Sequence, residues 1–155
     1  MLRRLREFLD TAGSPATQSD PTARIRLAVA ALLVEIARAD HDERASEQTA
    51  MIRLVARHFQ QEPGAAAELV AEARGAVDDA VSLREFTAFL HQQLAYPDKQ
   101  AIIAMLWDVA LEDQDLDKYE DYLIGKIADL LYVSRGDVIR LRFEAGQRRE
   151  LDRPA

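Results

Sequence analysis

Cysteine is absent from the 155-residue chain, which excludes disulfide bonds, cysteine zinc fingers, iron–sulfur clusters and thiol nucleophiles. Aromatic residues are scarce at 6% of the chain, and only six glycines and five prolines supply the turns that a protein of many short strands needs. Alanine and leucine are the commonest apolar residues, and both favour helices. The composition therefore predicts a single all-α domain.

The chain also lacks an excess of positive charge and a long apolar run. Its net charge is −7, which argues against a nucleic-acid binder, because binding phosphates requires a basic face. The longest apolar run, "LAVAALLVEIA", is interrupted by Glu35 and is shorter than the roughly 18 residues of a membrane-spanning helix. We therefore expect a cytoplasmic protein that binds neither nucleic acid nor the membrane interior.

The first ten residues, "MLRRLREFLD", place Leu2, Leu5, Phe8 and Leu9 on one face of a helix and the arginines elsewhere. No apolar stretch follows them, so we do not expect a secretory signal. The segment "TAGSPATQSDP", residues 11–21, is predicted to be a linker, and the folded body is expected to begin at about residue 21. Two interpretations stay open for residues 1–10: a first helix docked on the bundle, or contact with an anionic membrane surface, the inner face of the cytoplasmic membrane.

Apolar residues recur at intervals of three and four across residues 21–143, which predicts a body of about seven helices and no strand. We expect one helix to open at Pro63 and end near Gly75. Ser134 and Asp137 have the spacing of an N-terminal cap, which predicts a last short helix ending near Phe143. Residues 144–155, "EAGQRRELDRPA", are predicted to be a disordered tail.

An internal repeat appears when the sequence is shifted by 73 residues. The shift aligns "VEIARADHDERASEQ" with "WDVALEDQDLDKYED", and acidic residues match at four positions. The apolar residues on both sides match in kind. The body is therefore predicted to contain two pseudo-symmetric helix-loop-helix repeats, at about residues 24–60 and 97–133, with a helical insertion between them.

Each repeat would bring four carboxylates together if its two helices pack antiparallel around the acidic loop. Calcium and magnesium favour such oxygen ligands, and a bound cation would cancel the repulsion between the carboxylates. The candidate metal ligands are the matching acids of the two repeats, Glu35, Asp40, Asp42, Glu47, Asp108, Asp113, Asp115 and Glu120.

A second interpretation needs no metal. Asp117 and Glu120 fit a helix cap, and acids in a first turn are favoured by the helix dipole. The second loop is not an EF-hand, because Lys118 and Ile124 occupy the positions of that motif's glycine and bidentate glutamate. If His41 takes part in the site, the preference moves toward manganese or zinc.

The segments "ARADHDERASEQ" and "MLWDVALEDQDLDKYEDYLIGKIADLLYVSRGDVIRLR" resemble the two halves of the tellurite-resistance TerB-like family. The resemblance covers about residues 23–143. It implies an all-helical, pseudo-twofold bundle in the cytoplasm or at the inner membrane face, linked to stress or metal response. The acidic positions that it carries over are Asp40, Asp42, Glu47, Asp113, Asp115 and Glu120. The chain departs from the family where the loop glycine is His41 in one repeat and Gln114 in the other.

No glycine-rich phosphate loop, G-x-S-x-G elbow or H-E-x-x-H pair is present, so we do not expect an enzyme. The sequence instead predicts a metal-responsive binding or scaffold module, linked to stress or tellurite response, that has a protein partner. The alternative is an acidic interaction module that docks a basic partner or the inner membrane surface without metal. Binding that falls steeply with salt would favour this alternative.

Overall fold

The structure is a computed structural model that describes residues 21–39, 45–79, 83–112 and 118–152. At residues 45–47, 78–79 and 152 it describes the backbone alone. These ranges contain seven helices and no strand, so the all-α prediction is confirmed. The helices are α1 (Pro21–Ala39), α2 (Ala45–Phe59), α3 (Pro63–Asp79), α4 (Leu83–Gln93), α5 (Tyr96–Ala110), α6 (Lys118–Leu130) and α7 (Arg135–Asp152).

Helix α1 forms the centre of the bundle and packs against α2, α3, α4, α5 and α6. Every side chain from Leu27 to Val34 is buried, although the spacing of the apolar residues predicts a helix with one buried stripe. The alanines among them let neighbouring helices approach from several directions. A helix that is apolar on all sides is typical of the middle of a protein core.

The remaining helices form two similar groups. Helix α3 packs on α1 and α2, and α7 packs on α5 and α6, while α4 contacts α1 and α6. Helices α2 and α6 begin 73 residues apart, at Ala45 and Lys118, as the repeat in the sequence predicts. The pseudo-symmetric relation of the two groups stays a prediction.

Helices α5 and α7 run in the same direction. Near their starts the Tyr96 hydroxyl donates a hydrogen bond of 2.6 Å to the Asp137 carboxylate. Near their ends Arg148 Nη2 lies 2.9 Å from Asp108 Oδ1. Helix α6, which follows α5 and precedes α7 in the sequence, therefore runs in the opposite direction to both.

Helices α1 and α5 also start at the same end of the bundle. The Arg26 guanidinium lies 5.7 Å from the centre of the Phe59 ring, which places the start of α1 beside the end of α2. The charge of Asp98, in the first turn of α5, acts on His58 at that same end of α2. The last residues of α1 and of α5, which precede the two acidic loops, therefore lie toward the opposite end.

The C-terminal ends of α2 and α6 are closed by the same backbone arrangement. Gln60 and Tyr132 follow the two helices with positive φ angles of 52° and 60°. The next amide in each case bonds back five residues, from Gln61 to the Ala56 carbonyl and from Val133 to that of Ala128, both at 2.9 Å. This is a Schellman motif built without glycine. The left-handed residue costs conformational energy, which the two satisfied carbonyls offset.

The predicted helix start at Ser134 is confirmed. The backbone amide of Asp137 donates to Ser134 Oγ at 3.2 Å, as the cap spacing requires. The same prediction is wrong about where α7 ends, because the helix runs to Asp152 instead of stopping near Phe143. Residues 144–152 are therefore helical and not a disordered tail, while residues 153–155 lie outside the described part. Helix α3 likewise extends past Gly75, to Asp79.

Within the described ranges, no helix combines the length and the apolar character that crossing a membrane requires.

Candidate functional site

The structure describes only part of the predicted metal site. Asp40, Asp42, Asp113 and Asp115, together with His41, lie outside the described residues, as does the side chain of Glu47. The same holds for residues 1–20. The side chains of the remaining three predicted ligands, Glu35, Asp108 and Glu120, are described. Among the described side chains, no three acidic or histidine residues lie together in a group that could hold a metal.

Glu120 is buried in the first turn of α6, with 1% of its surface exposed and both carboxylate oxygens shielded from solvent. Burying a carboxylate costs free energy unless its charge is compensated. Part of the compensation comes from the helix dipole, whose positive end lies at the first turn. The second acidic loop ends immediately before this helix. A buried glutamate is therefore held beside the point where that loop enters α6.

Asp108, one turn before the end of α5, forms an ion pair with α7. Its Oδ1 accepts a hydrogen bond of 2.9 Å from Arg148 Nη2, and 22% of its side chain is exposed. Burial raises the pKa of Asp108 above its usual value, although Arg148, Arg57 and Arg149 act to lower it. The carboxylate predicted to bind a cation is thus directed to an arginine of the same chain.

Glu112 is the last described residue before the second acidic loop, and two other helices contact it. Arg149 Nη1 lies 3.0 Å from its carboxylate, and Arg149 Nη2 donates to its backbone carbonyl at 2.7 Å. Arg53 of α2 approaches the same carboxylate at 3.8 Å. Arg149 therefore fixes both the side chain and the backbone of the residue that leads into the loop.

We call Asp108, Glu112, Arg148 and Arg149 the ion-pair cluster. The sequence analysis missed it, because it assigned the arginines of residues 144–155 to a disordered tail. A signal was present in the sequence, because Asp108 and Glu112 have the four-residue spacing of one helix face, and Arg148 and Arg149 are adjacent. Pairing residues about 40 positions apart, however, requires knowing that α5 and α7 run parallel.

The described histidines have local partners. Burial lowers the pKa of His58, whose ring contacts that of Phe59 with 4.8 Å between the ring centres. His91 Nδ1 interacts with the buried Lys99 ammonium, and the His91 ring packs against Tyr132. These contacts join the ends of α2, α4 and α6 to the bundle and lie at the end opposite the acidic loops.

The donor chemistry of the predicted site suits a hard cation. Carboxylate oxygens are the ligands that calcium and magnesium prefer, and the two loops with their flanking turns supply them. Three predicted ligands have described side chains. Among them Glu120 fits such a site best, because it lies directly after the loop. Asp108 fits less well, since a cation would have to displace Arg148 from it.

Comparison with known families adds the decisive observation. The sequence model of the family described as "Tellurite resistance protein TerB" matches residues 26–143, about three-quarters of the chain. The chain belongs to the TerB family. The searches of curated proteins and of solved structures found no match.

The matched region contains all eight predicted ligands, from Glu35 to Glu120, and it ends inside α7. Arg148 and Arg149 lie beyond it. Of the ion-pair cluster, the family match thus covers the acids but not the arginines.

Proposed function

We propose that this TerB-family chain is a non-enzymatic binding or scaffold module that responds to a divalent cation held by its acidic loops. Calcium or magnesium is the preferred ion, with manganese or zinc if His41 contributes an imidazole. We place its role in stress or tellurite response, in the cytoplasm or at the inner face of the cytoplasmic membrane. Its output is the recruitment of a protein partner.

One observation carries the proposal: the buried carboxylate of Glu120 in the first turn of α6. A surface that served only for solubility would expose its acids to water, where hydration keeps the free-energy cost of an ionised carboxylate small. Here an acid is buried where the aspartates of the second loop join the helix. A cation bound by the loop would reduce the repulsion among its aspartates, and Glu120 stands directly beside that loop.

The direction of the helices supports the hypothesis that the two acidic loops act together. Helices α1 and α5 start at one end of the bundle and lead into the acidic loops at the other. The acids of both repeats are therefore attached to the same end of the molecule. A partner that recognises the cation-bound state would meet both loops on one side.

The experiment is thermal unfolding of metal-stripped full-length protein with Ca²⁺, Mg²⁺, Mn²⁺ or Zn²⁺ added in turn. A ligand of the native state at one hundred times its dissociation constant adds about 2.7 kcal/mol to the free energy of unfolding. We expect one ion to raise the Tm and the double variant Asp113→Asn/Asp115→Asn to lose that gain. Glu120→Gln should reduce it as well.

The matched control is Glu68→Gln/Glu72→Gln, which removes the same two charges from exposed positions of α3. It should keep the full response to the ion. The proposal is wrong if no ion raises the Tm, or if this control loses as much of the gain as the loop variant does.

The second candidate function is an acidic module that docks a basic partner without metal. The ion-pair cluster favours it, because arginine side chains already satisfy the carboxylates of Asp108 and Glu112. Basic groups from a partner would extend the same kind of contact to the loop. A partner that binds metal-stripped protein, with affinity that falls steeply between low and high salt, would support this function.

A further inference from the structure

A groove runs along the surface between α6 and α7, on the side of α5 where Trp107 lies. It encloses a cavity of about 520 Å³. Trp107 forms its floor and is 2% exposed, and the Arg142 guanidinium lies 5.4 Å from the centre of its ring. The groove is lined by Trp107, Asp121, Tyr122, Gly125, Lys126, Asp129, Arg135, Val138, Ile139 and Arg142.

Large apolar side chains stand exposed along this α6–α7 groove. Tyr122 and Ile139 are each 63% exposed, and Phe143, one turn beyond Ile139 on α7, is 66% exposed. Single apolar residues at a surface need no explanation, but several along one groove are typical of a surface that another element covers. Two helices with a groove between them match the mode in which an amphipathic helix is bound.

The same chain carries a segment of matching character. Residues 1–10 place Leu2, Leu5 and Leu9 at intervals of three and four, with Phe8 beside them. These intervals are those of the anchor residues of a helix bound in a groove. Burying such an apolar stripe against another surface lowers the free energy, because it removes the apolar side chains from water.

The segment is attached at the correct end of the bundle. Helix α1 starts at the same end as α5, and α5 starts beside the first turn of α7. The part of the groove that Arg135, Val138 and Ile139 line belongs to the first two turns of α7. The ten residues from 11 to 20 can span up to about 33–36 Å when extended, which is longer than the roughly 27 Å of the 18-residue helix α7.

The charges on the two sides can be matched. Segment 1–10 carries Arg3, Arg4 and Arg6 together with Glu7 and Asp10. The groove presents charges of both signs on its walls, from Asp121, Lys126, Asp129, Arg135 and Arg142. Arg142 Nη1 lies 3.4 Å from Asp121 Oδ1, so these two groove charges already pair with each other. Lys126 and Arg135 remain as cations for Glu7 and Asp10, and Asp129 remains as an acid for an arginine of the segment. Segment and groove each carry three basic and two acidic side chains, so their charges do not choose between the groove and an anionic membrane; the vesicle arm of the experiment does.

We propose that residues 1–10 bind as an amphipathic helix in the α6–α7 groove of their own chain, with Leu5 and Phe8 directed toward Ile139 and Phe143. The bound segment covers the cavity above Trp107 and removes the exposed apolar side chains from water. It is then not free to engage a membrane.

Disulfide trapping tests this directly, because the natural chain has no cysteine. The full-length double variant Leu5→Cys/Ile139→Cys is oxidised mildly at low protein concentration, and the product is analysed by mass and by non-reducing electrophoresis. We expect an intramolecular disulfide in the monomer. Ile139 tolerates the change without loss of core packing, since its side chain is 63% exposed.

Two matched controls define specificity. Glu7→Cys/Ile139→Cys moves the thiol to the opposite face of the predicted helix. Leu5→Cys/Glu72→Cys moves the second thiol to an exposed site on α3, which packs on α1 and α2. Any tethered pair collides at an effective concentration in the millimolar range, so docking is shown by a yield about ten times that of both controls.

A second readout is the rate at which a thiol reagent modifies the single variant Ile139→Cys. Adding Phe8→Asp should raise this rate by releasing the segment, and the same change should leave the rate at Glu72→Cys unaltered. Equal yields in the three double variants would overturn the proposal. So would a disulfide found only between two chains, which would place the segment on a second copy, or an Ile139→Cys rate that responds only to added phosphatidylserine vesicles.

Discussion

Helices α1 and α7 have nearly the same length, 19 and 18 residues, but different interactions hold them in the bundle. In α1 the eight side chains from Leu27 to Val34 are all buried. In α7 only Leu141 and Ala145 are buried among the described side chains, and its last turns are attached by the ion-pair cluster. Helix α1 is held by burial along much of its length, whereas α7 has a small buried face and is attached in addition by ion pairs at its last turns.

This difference separates the two helices experimentally. Burial of apolar surface does not weaken when salt is added, whereas attraction between partly exposed charges does. It also assigns the helices different roles: α1 determines whether the bundle folds, and α7 determines how firmly the end of α5 and the entrance of the second acidic loop are held. The four predictions below address this contrast.

The largest effect is expected from Leu32→Ala. Leu32 is fully buried in α1, and truncating a buried leucine to alanine costs about 2–5 kcal/mol, because the lost transfer free energy adds to that of the cavity. In urea unfolding, the free energy of unfolding should fall by the same amount at low and at high salt. The control is Leu151→Ala in α7, where the leucine is 84% exposed, and there the change should be within about 0.5 kcal/mol. Similar losses at both positions would contradict the contrast.

Removing Arg149 should have a smaller effect that depends on salt. Arg149→Met keeps the aliphatic stem but loses the bonds to the carboxylate and carbonyl of Glu112, for which we expect a cost of about 1–2 kcal/mol at low salt. Amide hydrogen exchange should accelerate in the last turns of α7 and at the end of α5. A uniform change across all helices, or a cost that is independent of salt, would argue against this role.

A control for Arg149 lies on the same helix. Within the described part of the chain Arg140 pairs with Asp137 and Glu144, and both belong to α7. Such pairs along one helix contribute about 0.2–0.5 kcal/mol. Arg140→Met should therefore leave exchange at the end of α5 unchanged, in contrast to Arg149→Met.

The contrast also explains which parts of the fold could be predicted from sequence. Helix α1 was predictable because burial leaves a pattern of apolar residues, and the start of α7 was predictable because the cap is local, from Ser134 to Asp137. The last turns of α7 contain one buried residue, Ala145, and many charges. This composition is also typical of a disordered tail. The last turns of α7 differ from such a tail because they contact residues about 40 positions away, and a contact of this kind leaves no periodic signal in the sequence.

The candidate site was predictable to a similar extent. The 73-residue repeat pairs Asp108 with Glu35, and it therefore predicts that the two acids play the same role. The repeat does not extend to their partners, since the position matching Arg148 is Gly75. The first half therefore has no arginine at the position that matches Arg148. Comparing the two repeats indicates which residues share a type, but not which of them another helix has already neutralised.

The third prediction concerns the Asp108–Arg148 pair. Burial raises the pKa of Asp108 in the folded state, so the folded protein binds this proton more tightly than the unfolded chain does. The contribution of Asp108 to stability is therefore greatest at low pH and falls as the pH rises through its folded pKa. Asp108→Asn should abolish this part of the pH dependence. Urea unfolding curves measured at several acidic pH values give the slope of the free energy of unfolding against pH.

Truncation of the arginine should act in the opposite direction. Arg148→Met leaves a half-buried carboxylate without its nearest cation, which should raise the pKa of Asp108 further and cost about 1 kcal/mol at neutral pH. Asp108→Asn should cost less, because an amide carries no charge to compensate. The ranking is wrong if Asp108→Asn is the more destabilising of the two at neutral pH.

The smallest effect is expected at the other end of α7, where the hydrogen bond from Tyr96 is the main reason that the pKa of Asp137 is lowered. The sign is opposite to that of Asp108, because a lowered pKa gives a contribution that is present above the unfolded pKa and is lost as the pH falls through the folded one. Tyr96→Phe should move the pKa of Asp137 back toward its usual value, as measured by carboxyl carbon NMR, and leave that of Asp108 unchanged. If both carboxyl groups shift, the two ends of α7 are coupled, and the ion-pair cluster is not the independent attachment that the contrast with α1 requires.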